Sequence, residues 1–448
     1  MKLSLNKTIE YIFYLLIFLL PWQTIFILRE PFIGRNKWEY GMIGLYGIDA
    51  LILFLLVLSL IKYIKNGNFK SIFNNSILNL KNPKHFLPSA FCLLLFWSFL
   101  SIVWSSDKTL AFYFSLKLFL AIGLFWSVAR INFNWKKLIF VLLLAGALQG
   151  ALAVGQFLTQ QDFSSALLGT SRHIASVGGS SVIELPKERW LRAYGSFSHP
   201  NILGGYLAII LLLIIAKKQE SAGEQQETNL LRNYITNYGL LVTGYAITFS
   251  GLIVSFSRSA WIIFAFGFIL LFIFQKEKKI ALTKLAIVFG IVGFVWMSAF
   301  SPLFFSRAKG QARLEQKSFS DRSEYVLQSK EIIKENFWLG VGAGNYTSAV
   351  FEKNPHKQIW QIQPVHNIFL LVWSELGIVG LILFLGVLFF SAQTAFRLGW
   401  TSGLLLSTFY FLLFIDHWLW TSHFGIIFFF LILSLVAKKE NYSNMLNT

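Results

Sequence analysis

Apolar runs of about 20 residues recur along this chain, and most are closed by a pair or cluster of basic residues. That is the length an α-helix needs to cross the hydrocarbon core of a bilayer. Backbone N–H and C=O groups find no water there, so they must be satisfied within the segment. Placing a helix on each run gives about 12 spans: 9–28, 41–61, 86–104, 109–129, 138–158, 201–216, 234–254, 260–274, 281–300, 366–390, 399–415 and 422–437. Composition agrees, since 13% of the 448 residues are charged and 55% hydrophobic, where a soluble domain carries about 25% charged residues. The expected fold is all-α and polytopic, one transmembrane domain over 1–448, with no internal repeat or low-complexity tract.

The basic clusters orient the spans. Lys62, Lys65, Lys70, Lys81 and Lys84, then Arg130, Lys136 and Lys137, then Lys217-Lys218, then Lys276, Lys278 and Lys279, and finally Lys438-Lys439 all fall on one side of the membrane. The positive-inside rule makes that side the cytoplasm, with both termini in it. The same rule accounts for most of the net charge of +18, so no nucleic-acid partner is expected. The run beginning at Ile9 continues through Pro21-Trp22 to Leu28 without a small-residue cleavage site, so it is expected to be the first span rather than a removed leader. Cys92 is the one cysteine and lies in an apolar run, which excludes an internal disulfide or a cysteine metal site.

Two long polar stretches, 159–200 and 301–365, then face the outside. In the second, Tyr325, Val326, Ile332 and Ile333 stand among charges between Asp321 and Asn336. That is the pattern of an amphipathic helix that could cap a cavity.

The candidate chemistry gathers at the outer ends of the spans. His366 sits where the second polar stretch meets the tenth span, in Gln363-Pro364-Val365-His366-Asn367, and an imidazole there suits a general base. The plain alternative is a structural histidine. Arg258 stands in the short turn Ser255-Phe256-Ser257-Arg258-Ser259 between two apolar spans, where an uncompensated arginine is costly. Its guanidinium fork suits phosphate, with snorkelling to headgroups as the alternative. Arg192 precedes the sixth span, and Asn201 is placed to cap that helix behind Pro200. Arg192 would equally serve at the headgroups. Gly340, Gly342 and Gly344 read as a tight turn rather than a nucleotide fingerprint, because no strand precedes them. His199, His356, His417 and His423 also lie outside, with Asp416, and invite a zinc reading. No HExxH or comparable ligand spacing supports it, so no metal or other cofactor is expected.

Four motifs follow one another in order: Arg192-Ala193-Tyr194-Gly195-Ser196-Phe197-Ser198-His199-Pro200-Asn201, Ser257-Arg258-Ser259-Ala260, Leu339-Gly340-Val341-Gly342-Ala343-Gly344-Asn345-Tyr346, and Pro364-Val365-His366-Asn367 with Glu375-Leu376-Gly377-Ile378-Val379-Gly380. In this arrangement the chain resembles the O-antigen ligase and polymerase family of bacterial membrane glycosyltransferases. The resemblance implies a GT-C-like architecture whose large outer loop, carrying short helices, precedes the tenth span. It also implies a glycan donor on undecaprenyl diphosphate and an acceptor that is a lipid A-core, another glycan or a protein, met at the outer face of the cytoplasmic membrane. On this resemblance Arg192 and Arg258 hold the diphosphate, Arg322 takes a further basic position and His366 is catalytic. Asn367 and Glu375 are supporting candidates by position: Glu375, about two and a half turns into the tenth span, would orient a polar partner or equally make a helix–helix contact.

Elementary chemistry agrees with that assignment. A polyprenyl diphosphate is already an activated donor, so cations for the leaving group and a base for the acceptor hydroxyl are enough. Inversion by direct displacement is expected, because the sequence marks no carboxylate nucleophile. A ligase is favoured over a polymerase. The rivals are a transporter or flippase, for which Asp49 in the second span is the coupling candidate, and a non-catalytic partner in an export assembly.

Overall fold

The computed structural model describes residues 4–33, 36–65, 86–220, 230–310 and 313–438. Lys70, Lys81, Lys84 and Lys439, part of the basic pattern above, lie outside the described residues.

Helix dominates, with little strand. The first helix, α1 (Leu5–Leu19), is followed by β1 (Ile25–Arg29), β2 (Phe32–Ile33), β3 (Asn36–Lys37) and β4 (Ile43–Tyr46), paired as β1 with β4 and β2 with β3. Next come α2 (Gly47–Lys65), α3 (Phe86–Leu100), α4 (Lys108–Arg130) and α5 (Trp135–Thr159). The hairpin of β5 (Val182–Glu184) and β6 (Arg189–Leu191) leads to α6 (Pro200–Glu220), α7 (Leu230–Val254), α8 (Arg258–Phe274) and α9 (Lys279–Ala299). The second polar stretch holds α10 (Ser301–Lys309), α11 (Arg313–Glu335) and α12 (Tyr346–Lys353). The chain closes with α13 (Ile368–Leu398), α14 (Trp400–Ile415), α15 (Trp418–Thr421) and α16 (His423–Val436).

Six of these helices are long and apolar enough to cross a membrane: α2, α4, α5, α6, the segment Lys276–Ala299 that contains α9, and α13. Five shorter apolar helices lie among them, within α3, α7, α8, α14 and α16. The expected first span, 9–28, is cut short. Its helix ends at Leu19, and Ile25–Arg29 instead pairs antiparallel with Ile43–Tyr46. Proline at 21 cannot continue the helical hydrogen-bond ladder, so the apolar run Ile25-Phe26-Ile27-Leu28 takes a partner strand.

Two helices form the centre. All 14 residues of α16 are buried, and α6 is buried almost throughout from Ile202 to Lys217. A helix that is apolar on every side can be packed on every side, as these two are. α6 lies between α5, α7 and α8, and α16 lies against α4.

Neighbouring helices alternate in direction, so the polar connections meet at one end. Tyr40 Oη donates to Gln363 Oε1 at 2.6 Å, Ser306 Oγ donates to the Glu184 carbonyl at 3.0 Å, and Arg192 Nε donates to the Ser255 carbonyl at 2.9 Å. Helices α6, α8, α13 and α16 all begin at that end, with their first-turn N–H groups directed towards it and one in each met by a capping side chain.

Candidate active site

Gln156, buried at the end of α5, fixes the approach to the site. Its Nε2 donates to Asp162 Oδ1 and to the Gly195 carbonyl, both at 2.9 Å. Its Oε1 accepts from the backbone N–H groups of Tyr194 and Gly195 at 3.1 and 2.8 Å. Gln149, two turns earlier, accepts from Ser196 N–H at 3.0 Å. The 192–201 segment is thus clamped on α5, and Arg192 is only 6% exposed.

The Arg192 guanidinium reaches two elements. Nε donates to the Ser255 carbonyl and Nη2 donates to Asn201 Oδ1 at 2.8 Å. Asn201 Nδ2 in turn donates to Asp416 Oδ2 at 3.2 Å. Asn201 therefore does not cap α6, as the sequence suggested. His199 does so instead, its Nδ1 accepting from the Asn201 N–H at 3.1 Å. The asparagine amide is left to bridge an arginine and an aspartate 215 residues further on.

Asp416 follows α14, and its Oδ1 accepts from the His417 N–H at 2.9 Å. The His417 ring meets the His366 ring edge-on, centroids 4.8 Å apart and planes at 90°. Its Nδ1 lies 2.8 Å from Thr421 Oγ1. His366 comes one residue before the cap of α13, where Asn367 Oδ1 accepts from the Leu370 N–H at 3.0 Å. Asn367 thus starts the helix that follows the histidine.

The opposite wall is α11. Arg322 and Tyr325 lie one turn apart on one face of it. Tyr325 is buried and stacks nearly parallel to His366, centroids 6.0 Å apart. Arg322 is close enough to both His366 and His417 to oppose their protonation. Its Nε is buried, with no hydrogen-bond partner among the described residues.

Arg258 is the first residue of α8, behind Ser257, whose Oγ caps the helix. Its guanidinium lies 4.9 Å from the centroid of the Phe319 ring, one turn before Arg322 on α11. The turn that carries it is pressed on α6 at Gly204, where a Cβ would come within 2.8–2.9 Å of Ser255, Ser257 and Ala260.

Burial lowers the pKa of His366, and Arg322 adds to this, while Asp416 pulls the other way. Burial, with His366 and Arg322 alongside, pushes His417 down to about 3. Burial and Arg192 do the same to His199, also to about 3. Burial alone would raise Asp416, but the three histidines and the His417 N–H hold its carboxyl below the usual range. The site therefore contains neutral imidazoles beside one carboxylate.

Sequence reasoning singled out His366 and the arginines but missed this carboxylate as their partner. Asp416 and His417 were visible as polar residues between two apolar spans, with no spacing to tie them to His366. Both Asp416 oxygens already accept hydrogen bonds, which suits a carboxylate that steadies a histidine better than one that attacks a sugar. His366, Asp416 and His417 also each offer one ligating atom within 4.8 Å of the others. A cation bound there would face Arg322, and one ligand would be the aspartate held by Asn201.

Glu375 lies on α13, nine residues after His366. It is buried, and its Oε2 accepts from Trp420 Nε1 at 2.9 Å, tying α13 to α15. Its carbonyl accepts from the Gly342 N–H at 2.8 Å, which docks the glycine turn on α13. Between this layer and the histidines lies a cavity of about 30 Å³ lined in part by Tyr40, Lys117, Pro364, Glu375 and Thr421.

No match is found among the curated proteins. Residues 243–385 match the family model described as O-Antigen ligase. That span contains Arg258, Arg322, His366, Asn367 and Glu375, whereas Arg192, Asn201, Asp416 and His417 stand outside it. Over residues 243–385, about a third of the chain, the match bears out the resemblance carried by the motifs from Ser257 onward: that segment is similar to the O-antigen ligase family.

Proposed function

We propose that this protein transfers a glycan from an undecaprenyl diphosphate carrier to an acceptor hydroxyl at the outer face of the cytoplasmic membrane, in the manner of an O-antigen ligase. The observation that carries the reading is the convergence of a neutral His366, backed by Asp416, with Arg322, whose buried Nε lacks a partner among the described residues. His366 takes the proton of the acceptor hydroxyl as its oxygen bonds to the anomeric carbon. The bond from that carbon to the diphosphate oxygen breaks, and the configuration inverts. Asp416 stabilises the imidazolium that forms. Arg192, Arg258 and Arg322, with the N-termini of α6, α8 and α13, stabilise the negative charge of the departing diphosphate. No metal is needed for these steps.

A polymerase of the same family would use the same site on a different acceptor. The transporter reading gains nothing from Asp49, whose Oδ1 lies 2.6 Å from His423 Nε2 and whose Oδ2 accepts from the Tyr46 N–H at 3.0 Å. That aspartate is fully engaged in holding α2 to α16.

The test is transfer by purified protein from undecaprenyl-diphosphate-linked glycan to a panel of acceptors, with EDTA present. Activity should survive chelation. It should fall about 10²–10⁴-fold in His366→Ala and about 10²–10³-fold in Arg322→Ala or Arg192→Ala. The acceptor used separates ligase from polymerase. Loss of activity on chelation, restored by added metal, would instead assign His366, Asp416 and His417 to a metal. Failure of the wild type to glycosylate any acceptor would remove the transferase reading.

A further inference from the structure

A second, larger cleft of about 470 Å³ opens beside the site, between the β1–β4 segment and the turn 359–363. Three aromatic side chains line it, Trp38, Tyr40 and Trp360, together with Glu39 and Gln363. We propose that this cleft is the acceptor subsite: it binds an uncharged sugar residue of the acceptor glycan and presents a hydroxyl of that residue to His366. The inference rests on the transferase reading.

The lining has the chemistry of a sugar site. A pyranose offers an apolar C–H face, which an aromatic ring covers, and a rim of hydroxyls, which carboxylate and amide groups meet. Trp360 is 58% exposed, so its ring face is available to a sugar. Trp38 is buried and contributes an aromatic wall to the cleft. An acyl chain would leave the polar groups unsatisfied. The size lies inside the range of about 300–1,000 Å³ common to small-molecule sites.

Position separates acceptor from donor. Tyr40 is a wall of the cleft, and its ring meets the His417 ring edge-on at 6.3 Å. Its hydroxyl donates to Gln363, three residues before His366. None of Arg192, Arg258 and Arg322 lines the cleft, nor does any residue of α8 or α11. Through Tyr40 the cleft thus borders His417, whose ring meets that of His366, and none of the three arginines lines it.

Charge selects the sugar. Lys37 is engaged with Glu30 at 3.0 Å, which leaves Glu39 as the excess charge in the lining. Uronic acids and phosphorylated sugars are disfavoured there.

The experiment uses the full chain in lipid nanodiscs, free of glycoside detergent. Short oligosaccharides, either neutral or bearing uronic acid, are titrated by saturation-transfer NMR in the absence of donor. Neutral probes should bind the wild type and His366→Ala alike. Trp360→Ala should weaken them at least tenfold, Trp360→Phe should largely restore them, and uronic-acid probes should bind less well than neutral ones. In transfer assays Trp360→Ala should raise KM for the acceptor tenfold or more and leave KM for the donor unchanged. An unchanged acceptor KM in a Trp360→Ala protein that transfers normally overturns the subsite alone, and a raised donor KM hands the cleft to the donor. Absence of any wild-type binding also overturns it. Probe binding that depends on Trp360, in a protein that never transfers, would overturn the transferase reading and leave a glycan-binding cleft.

Discussion

Asp416 decides how strong a base His366 can be. Burial and Arg322 depress the imidazole, and the carboxylate offsets part of that depression. Asp416→Asn removes the offset, so His366 becomes a weaker base and its conjugate acid loses its partner. The expected result is a fall of at least tenfold in kcat, with the acid limb of the kcat/KM profile displaced to lower pH. A profile with the wild-type acid limb would show that Asp416 does not act through the histidine. The other histidines bear on stability. His199 and His417 are held near pKa 3 when folded, against about 6.5 in an unfolded chain. The unfolded state therefore takes up more protons between these values, and stability is complete above about pH 6.5 and declines as pH falls towards 3. The melting temperature of the purified protein should drop across that window, and Asn at either position should flatten the drop. His366, Arg192 and Arg258 stood out as candidates in the sequence because each is a charged or titratable group at the end of an apolar run, whereas Arg322, inside a polar stretch, was singled out only by the resemblance. The Arg192–Asn201–Asp416 relay was not legible, since only the packing of α6 beside the turn after α14 brings those residues together.

At the scale of elements, the glycines between 340 and 344 and Glu375-Leu376-Gly377 form one device. Gly377 breaks α13 with φ +67°, and a Cβ there would come within 2.1 Å of the Trp338 carbonyl oxygen. The break lets the Val341 N–H reach the Ser374 carbonyl at 2.9 Å, beside the Gly342 contact to Glu375. Gly377→Ala should cost at least about 1–3 kcal/mol from the backbone conformation alone, with the close contact adding to it. A lower melting temperature and weaker transfer should appear together, because the same loop joins α11 to α12. Normal melting in this variant would contradict the geometry. The sequence revealed the tight turn, since glycines so spaced have few other uses, but not its docking partner. The amphipathic stretch 321–336 was legible for a related reason. Tyr325, Ile332 and Ile333 are buried where the period places them, within a helix that starts earlier, at Arg313. The pairing of β1 with β4 was hidden because its apolar run follows that of α1 after only Pro21-Trp22-Gln23-Thr24 and carries no charge before Arg29.

Across the molecule, the two ends differ in kind. One gathers the candidate site, the aromatic cleft and the N-termini of α6, α8, α13 and α16. At the other, the connections carry Lys62 and Lys65, Arg130, Lys136 and Lys137, Lys276, Lys278 and Lys279, Arg397 and Lys438. Moving lysine and arginine across a membrane is costly, whereas the polar connections around the site carry mixed charge and have room to fold in water. The basic end should therefore face the cytoplasm and the site should face outward. A Cys92→Ser background allows a direct check with single cysteines probed by a membrane-impermeant maleimide on intact cells or protoplasts. A cysteine in place of Lys357, beside α12, should react without permeabilisation. One in place of Glu277, before α9, should react only after it. The reverse pattern would put the site in the cytoplasm and remove its access to a carrier displayed on the outer face. The two cysteines also report on one another: both reacting from outside would mean an odd number of crossings between 277 and 357 is wrong, and with it the place of α9 as a span.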